Sequence, residues 1–296
     1  MTSNLQQTPV WIWPRTQMTE SSPNGHAFVE DFFNQYYAPF KTLYFSRGRV
    51  AITAILESVE ASRNDLVFIQ PFSSYCVQSA VSRVATPLTI HPEESKYQIV
   101  YHNFGKKAKA DKAVFKNVII EDAVDSVVTC NDEEELFPNG ADYAVFSLAK
   151  LIHVPFGSVV VCRTDEAYRR LKDTPIRQSV ITGGILVKDN VLADCILANN
   201  ATMISTALKP DTLKVMFDST IQRIQQNLRS ISDLLGVDYT NKHRLPSNVF
   251  STERFPAGMY GKYNIEVMER HVYDYENKKC MNVHMFPVHV DIKIEK

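Results

Sequence analysis

Residues 145–161 read VFSLAKLIHVPFGSVVV. Two apolar runs flank a single lysine, Lys150, and Gly157 follows seven residues later. Both runs are apolar at consecutive positions, as in strands buried on two faces. A lysine between them is either a surface loop residue or an amine held for chemistry.

The chain upstream repeats the pattern. The stretches DLVFIQPF, TPLTIHP, YQIVYHNFG, NVIIEDAV, DYAVFSL and GSVVVCR read as strands. Between them, Val50, Ala54, Ile55 and Val59 have helical spacing, SSYCVQSAVSRV reads as a short helix capped by Ser73 or Ser74, and KKAKADKAVFK as a polar helix. Strands alternating with helices predict an α/β fold with a mostly parallel central sheet flanked by helices. Residues 1–40 read as an irregular, aromatic-rich arm with Trp11, Trp13, Phe32, Phe33, Tyr36 and Tyr37. Residues 41–205 form the large α/β domain in this reading. A helix from Pro210–Asp211 to Gly236 then opens a small α+β domain over residues 206–296.

With 296 residues and a net charge of -1, nothing draws the chain to nucleic acid or an anionic membrane. No apolar run reaches transmembrane length, and the N-terminus lacks the basic and apolar regions of a secretory signal. Five cysteines without a CxxC pair read as reduced thiols of a cytoplasmic protein. There is no GxxxxGK[ST], and no metal site is expected: His284 and His289, five apart on a strand-like run, lack ligand spacing.

Three stretches carry candidate chemistry. In FSRGRVA, Phe45–Ala51, Gly48 lies between two arginines where a helix begins. Free backbone N–H groups, the helix dipole and the Arg49 fork make a phosphate cradle there. The same residues also read as an ordinary turn with solvated arginines. In VIIEDAVDS, Val118–Ser126, an acidic pair ends a buried strand, where ligands of open α/β sheets bind. Asp122 can serve a metal, a ribose or a protonated ring nitrogen there, or simply cap a helix. Lys150 follows Asp122 by 28 positions (150 − 122), at the exit of the next strand. Partial burial would lower its pKa and make it a nucleophile toward aldehydes. Ser147 is placed to add a hydroxyl to a phosphate. A cradle, an aspartate and a lysine around one crevice describe a cofactor with a phosphate, a basic ring nitrogen and an aldehyde: pyridoxal 5'-phosphate.

The chain resembles the fold-type-I pyridoxal-phosphate enzymes, and within them the DegT/DnrJ/EryC1/StrS sugar aminotransferases. SRGRVAITAIL resembles the phosphate-binding segment. VFIQPFSSYCVQSAVSRVATPLTI resembles the strand–helix–strand whose aromatic residue stacks on the ring, with Tyr75 in that place and Phe72 the alternative. VIIEDAVDS and FSLAKLIHVPFGSVVV resemble the pyridine-binding and lysine segments, and HMFPVHVD is a weaker echo of a late small-domain segment. The resemblance implies Lys150 and Asp122 as catalytic residues, and Gly48, Arg49, Tyr75, Asp122, Asp125, Ser147 and Lys150 around the cofactor. It further implies glutamate as amino donor, a keto-sugar nucleotide as acceptor, a role in surface-polysaccharide or amino-sugar biosynthesis, and a homodimer with the site at its interface.

The departures are specific. Asp125 stands where relatives carry histidine or glutamine. Ser158 replaces the second glycine after the lysine segment. The chain stops soon after FPVHVD. They keep open a drifted or non-catalytic relative that binds a sugar nucleotide or a partner chain. A sugar dehydratase is a further alternative, although dehydratases of this kind replace the lysine by histidine.

Overall fold

The computed structural model describes residues 8–9, 25–110, 117–152, 157–182, 210–240, 243–256, 263–264, 269–274, 277 and 279–289. Trp11, Trp13, Lys112, Lys116, Cys195, Asn199 and Asn200 lie outside them.

The strands are β1 (Thr8–Pro9), β2 (Lys41–Phe45), β3 (Leu66–Ile69), β4 (Thr86–Leu88), β5 (Tyr97–Tyr101), β6 (Val118–Asp122), β7 (Ser126–Val128), β8 (Tyr143–Ser147), β9 (Ser158–Cys162), β10 (Arg244–Pro246), β11 (Asn248–Ser251), β12 (Tyr263–Asn264), β13 (Glu269–Asp274) and β14 (Lys279–Pro287). Seven of them form the central sheet in the order β2-β9-β8-β6-β5-β3-β4. Neighbours pair in parallel from β4 to β8, and β9 runs antiparallel between β8 and β2. The sheet is therefore mostly parallel, as its apolar strand centres imply. Strands β8 and β9 are buried along their whole length. A separate antiparallel sheet, β11-β14-β13, lies in the C-terminal part, and β10 pairs with β7.

Helix α1 (Gly25–Tyr36) corrects the reading of that part of residues 1–40 as irregular, and β2 adds an edge strand that the pattern did not reveal. Val29, Phe33 and Tyr37 repeat at four-residue steps and are buried. Phe32, Phe33 and Tyr36 meet Phe217 with centroids 5.0–5.7 Å apart. Buried aromatic pairs of this kind contribute about 0.5–1.5 kcal/mol each beyond area burial. Helix α2 (Gly48–Ser58) is buried continuously from Val50 to Leu56, so it is a core helix of the sheet. Helix α3 (Tyr75–Ser82) starts after Ser74, while Ser73 bonds back to the Gln70 carbonyl. The short helices α4 (Glu133–Leu136) and α5 (Leu148–Leu151) follow.

Helix α6 (Asp165–Lys172) was not anticipated. Thr164 caps it by accepting from Ala167 N at 3.1 Å, with acids in its first turn and bases in its last. After α7 (Pro175–Thr182) the long helix α8 runs Pro210–Leu235 and stops where Gly236 takes φ +65°. The polar helix expected at KKAKADKAVFK is absent over residues 106–110, which have no regular structure. That segment instead covers the sheet face through Ala108 and Ala110, beside Phe68 and Val100.

Candidate active site

Strands β5, β6 and β8 are adjacent and parallel, so their C-terminal ends open on one edge. Tyr101 pairs in register with Asp122, and Asp122 with Val145. Alternation along the strands puts Tyr101, Asp122, Val145 and Ser147 on one face. The chain leaves β6 in a tight turn, with Ala123 N bonded to the Val145 carbonyl at 2.9 Å and Ser126 N to the Ala123 carbonyl at 3.0 Å. This turn swings Asp125 back over the same edge. On the next strand, α5 carries Lys150 one turn past the end of β8.

Lys150 Nζ lies 3.0 Å from Asp125 Oδ1, and the other Asp125 oxygen accepts from the Tyr101 hydroxyl. Asp122 is buried, and Val124 N at 3.4 Å is a weak contact for a carboxylate. Burial pushes its pKa up to about 7, Lys150 pulls it back and Asp125 adds to the rise. The expectation of a depressed Lys150 pKa is corrected. Burial does favour the neutral amine, but Asp125, with Asp122 and Cys76 behind it, outweighs burial and raises the pKa. Asp125 was expected near the cofactor, but spacing alone did not show that this carboxylate, 25 residues upstream, would pair with the amine itself.

The cradle assembles on the other side of the same turn. Gly48 opens α2, and a Cβ built on it would stand 3.2 Å from Val124 Cγ1 and 3.9 Å from Ser158 Oγ. Ser147 and Ser158 are register partners. Ser158 is accommodated where relatives have glycine, because its hydroxyl donates to the Phe146 carbonyl at 2.8 Å. Gly157 remains necessary: its φ is +114°, and a Cβ would meet Leu148 and Tyr44 at 3.1 Å. Gly157 N also bonds to the Ser46 carbonyl at 2.8 Å, which ties the approach to α2 to β9.

Gly48, Asp122, Asp125, Ser147 and Lys150 are thus brought together. Arg49 sits half-buried in the first turn of α2. Tyr75 stands apart: it opens α3 with its side chain 82% exposed. Phe72, the alternative, is also exposed, has φ +64° and lies 5.2 Å from the His271 ring. Two residues were missed. Tyr101 could have been placed by strand alternation opposite Asp122. Ser46 begins the quoted phosphate stretch, is buried, and its hydroxyl has no hydrogen-bond partner among the described residues.

These features fit pyridoxal phosphate. An unpartnered buried hydroxyl and a helix start that only glycine leaves open suit a phosphate. A buried carboxylate with one weak donor suits a protonated ring nitrogen. An amine on the neighbouring strand end suits the aldehyde.

Comparison with known proteins agrees. The family described as "Putative PLP-dependent aminotransferase" matches residues 29–181, just over half of the chain. No curated protein matches. Among solved structures, "Putative sugar aminotransferase Spr1654 from Streptococcus pneumoniae, PLP-form" is 13% identical with a TM-score of 0.59, covering 94% of this chain and 89% of that one. A DegT DnrJ EryC1 StrS aminotransferase from Brucella abortus is 12% identical with a TM-score of 0.58, covering 92% and 86%. NtdA from Bacillus subtilis, with bound PMP, is 14% identical with a TM-score of 0.51, covering 92% and 74%. At such identities the likeness establishes the fold-type-I architecture. The family match, over the residues that build the cradle, the acid and the amine, places this chain in the family of PLP-dependent aminotransferases.

Proposed function

We propose that this chain is a sugar aminotransferase of the DegT/DnrJ/EryC1/StrS type, moving an amino group from glutamate to a keto-sugar nucleotide. The carrying observation is the placement of Lys150 and Asp122 on adjacent strand ends, close enough that each perturbs the other's charge. The four motif stretches and the fold shared with the S. pneumoniae and B. abortus proteins support the sugar class. A homodimer acting in the cytoplasm on surface-polysaccharide or amino-sugar precursors is part of the same proposal. So is a boundary near residue 205 between a large and a small domain.

Bound there, pyridoxal phosphate supplies an aldehyde that takes up the amino group and an electron sink for the C–H bond that breaks beside it. Asp122, ionised, holds the ring nitrogen in its protonated form. Lys150 would hold the aldehyde and would serve as the base and acid that moves the proton. Gly48, Arg49 and Ser147 anchor the phosphate, with Ser46 beside them. Tyr75, or Phe72, would be the aromatic residue to pack on the ring face, although both are exposed in this structure.

The test is a glutamate-dependent assay over a panel of keto-sugar nucleotides, with borohydride trapping of the cofactor on Lys150. Amination of at least one sugar nucleotide and a label at Lys150 are expected. Loss of water from the sugar without glutamate would replace the reading by a dehydratase. A protein that stays colourless with added cofactor would replace it by a binding protein.

A further inference from the structure

Asp125 is committed on both sides. One oxygen accepts from Lys150 Nζ at 3.0 Å and the other from the Tyr101 hydroxyl, and the side chain is 3% exposed. Tyr101 is fixed in turn. Its oxygen accepts from Phe104 N at 3.3 Å, which leaves its proton directed at Asp125. Tyr101 ends β5 and Asp125 follows β6, so two parallel strands hold the phenol and the acid together. Among the described residues, the charged and titratable groups facing Lys150 include Asp125 and Asp122 from the β6 exit and Cys76 from α3, and each favours the ammonium form. An ammonium ion has no lone pair with which to attack an aldehyde. A histidine or glutamine at residue 125 would place no fixed negative charge against the amine.

We propose that the Tyr101–Asp125 pair is a positioning device for Lys150: it parks the amine as an ammonium ion beside Asp122, and cofactor loading requires that amine to leave Asp125 and release its proton to solvent. The inference rests on the aminotransferase reading for its purpose, but the parked amine itself does not. Asp125 acts on Lys150 directly, and Tyr101 acts only through Asp125. Loading of the cofactor-stripped chain is then slow at neutral pH and speeds up about tenfold per pH unit as the neutral amine fraction grows.

Two measurements on the full chain test this. The first is the rate at which an amine-acylating reagent labels Lys150 in the cofactor-stripped protein across pH, read by peptide mass. The second is the rate at which pyridoxal phosphate absorbance appears. Lys150 should label as an amine of higher pKa than a free lysine. Asp125→Asn should raise both rates about tenfold at pH 7. Tyr101→Phe should shift the profile in the wild type and leave it unmoved in the Asp125→Asn background. A wild-type Lys150 that labels with an ordinary or depressed pKa overturns the proposal without any variant. So does an Asp125→Asn protein with the wild-type profile. Equal effects of Tyr101→Phe in both backgrounds would overturn the paired device. If no variant takes up cofactor while Asp125→Asn still speeds labelling, the parked amine stands and the aminotransferase reading falls.

Discussion

Glu121 and Asp122 are consecutive acids of one strand, both buried, and they face opposite sides of the sheet. Glu121 is fully supplied. Asn139 donates to it through its backbone N–H at 2.8 Å and its side chain at 2.9 Å, and His102 Nε2 lies 3.2 Å away. Burial pushes its pKa up, but these partners outweigh burial and hold it below the usual range. Asp122 has one weak backbone donor, and burial lifts it to about 7. The same strand therefore carries a structural acid behind the sheet and an acid left undersupplied at its front. On the proposed reading, Asp122 is the one of the two that would take a cationic ligand.

The strongest way to break this contrast is to remove each charge in turn. Asp122→Asn should lower turnover by about a thousandfold or more, like Lys150→Ala, because ring-nitrogen and proton-transfer chemistry are lost. Glu121→Gln should keep most of the turnover per folded molecule. It should instead destabilise the fold by about 2–3 kcal/mol, since an amide turns one donor against Asn139 or His102. Steady-state kinetics and urea denaturation of the same preparations separate the two effects. Equal losses of activity would erase the distinction.

Stability against pH sharpens it. Asp122 moves from 3.8 in the unfolded chain to about 7 in the fold. The folded chain thus binds more protons between those values, and its stability falls as pH rises through them. The span amounts to about 4 kcal/mol at about 1.4 kcal/mol per pH unit. Cofactor-free Asp122→Asn should therefore match the wild type near pH 4 and exceed it by up to about 4 kcal/mol at pH 8. His102 behaves in the opposite sense. Burial and the nearby Arg244 lower it to about 4 against 6.5 unfolded, although Glu121 works the other way. Its contribution is present above pH 6.5 and is lost as pH falls toward 4. The two slopes oppose each other in the wild type, and the Asp122→Asn curve should expose the rise with pH. Denaturation midpoints at half-unit pH steps will show it.

The smallest effect concerns the cradle. Ser158→Gly, which restores the glycine of relatives, removes the bond to the Phe146 carbonyl and should destabilise by about 1 kcal/mol. Because that hydroxyl is already spent on the Phe146 carbonyl, cofactor affinity, measured by titration, should change by less than about twofold.

The central strands were legible because strands covered on both faces are apolar at every position, and β8 and β9 are of that kind. Lys150 and Asp122 stood out as candidates for the same reason, since charge at the exit of an apolar run is conspicuous. Helix α1 was not, because a loop-forming stretch before it and consecutive aromatics obscured its four-residue step. The Tyr101–Asp125–Lys150 chain of contacts depends on β5–β6 register and on a turn after β6, neither of which composition or periodicity encodes. The exposure of Tyr75, at the first position of α3, is set by tertiary packing that no local pattern encodes.

Strand β2 touches the central sheet only through β9. Residue 45 therefore waits for residue 158 before the strand can dock. The helix start proposed to receive the phosphate follows β2 directly, so on that reading a growing chain on the ribosome cannot complete the pocket until the lysine segment has also emerged. On that reading the anion-binding and amine-bearing halves of the site mature in a single late event, and a nascent chain cut short before β9 would have neither in place.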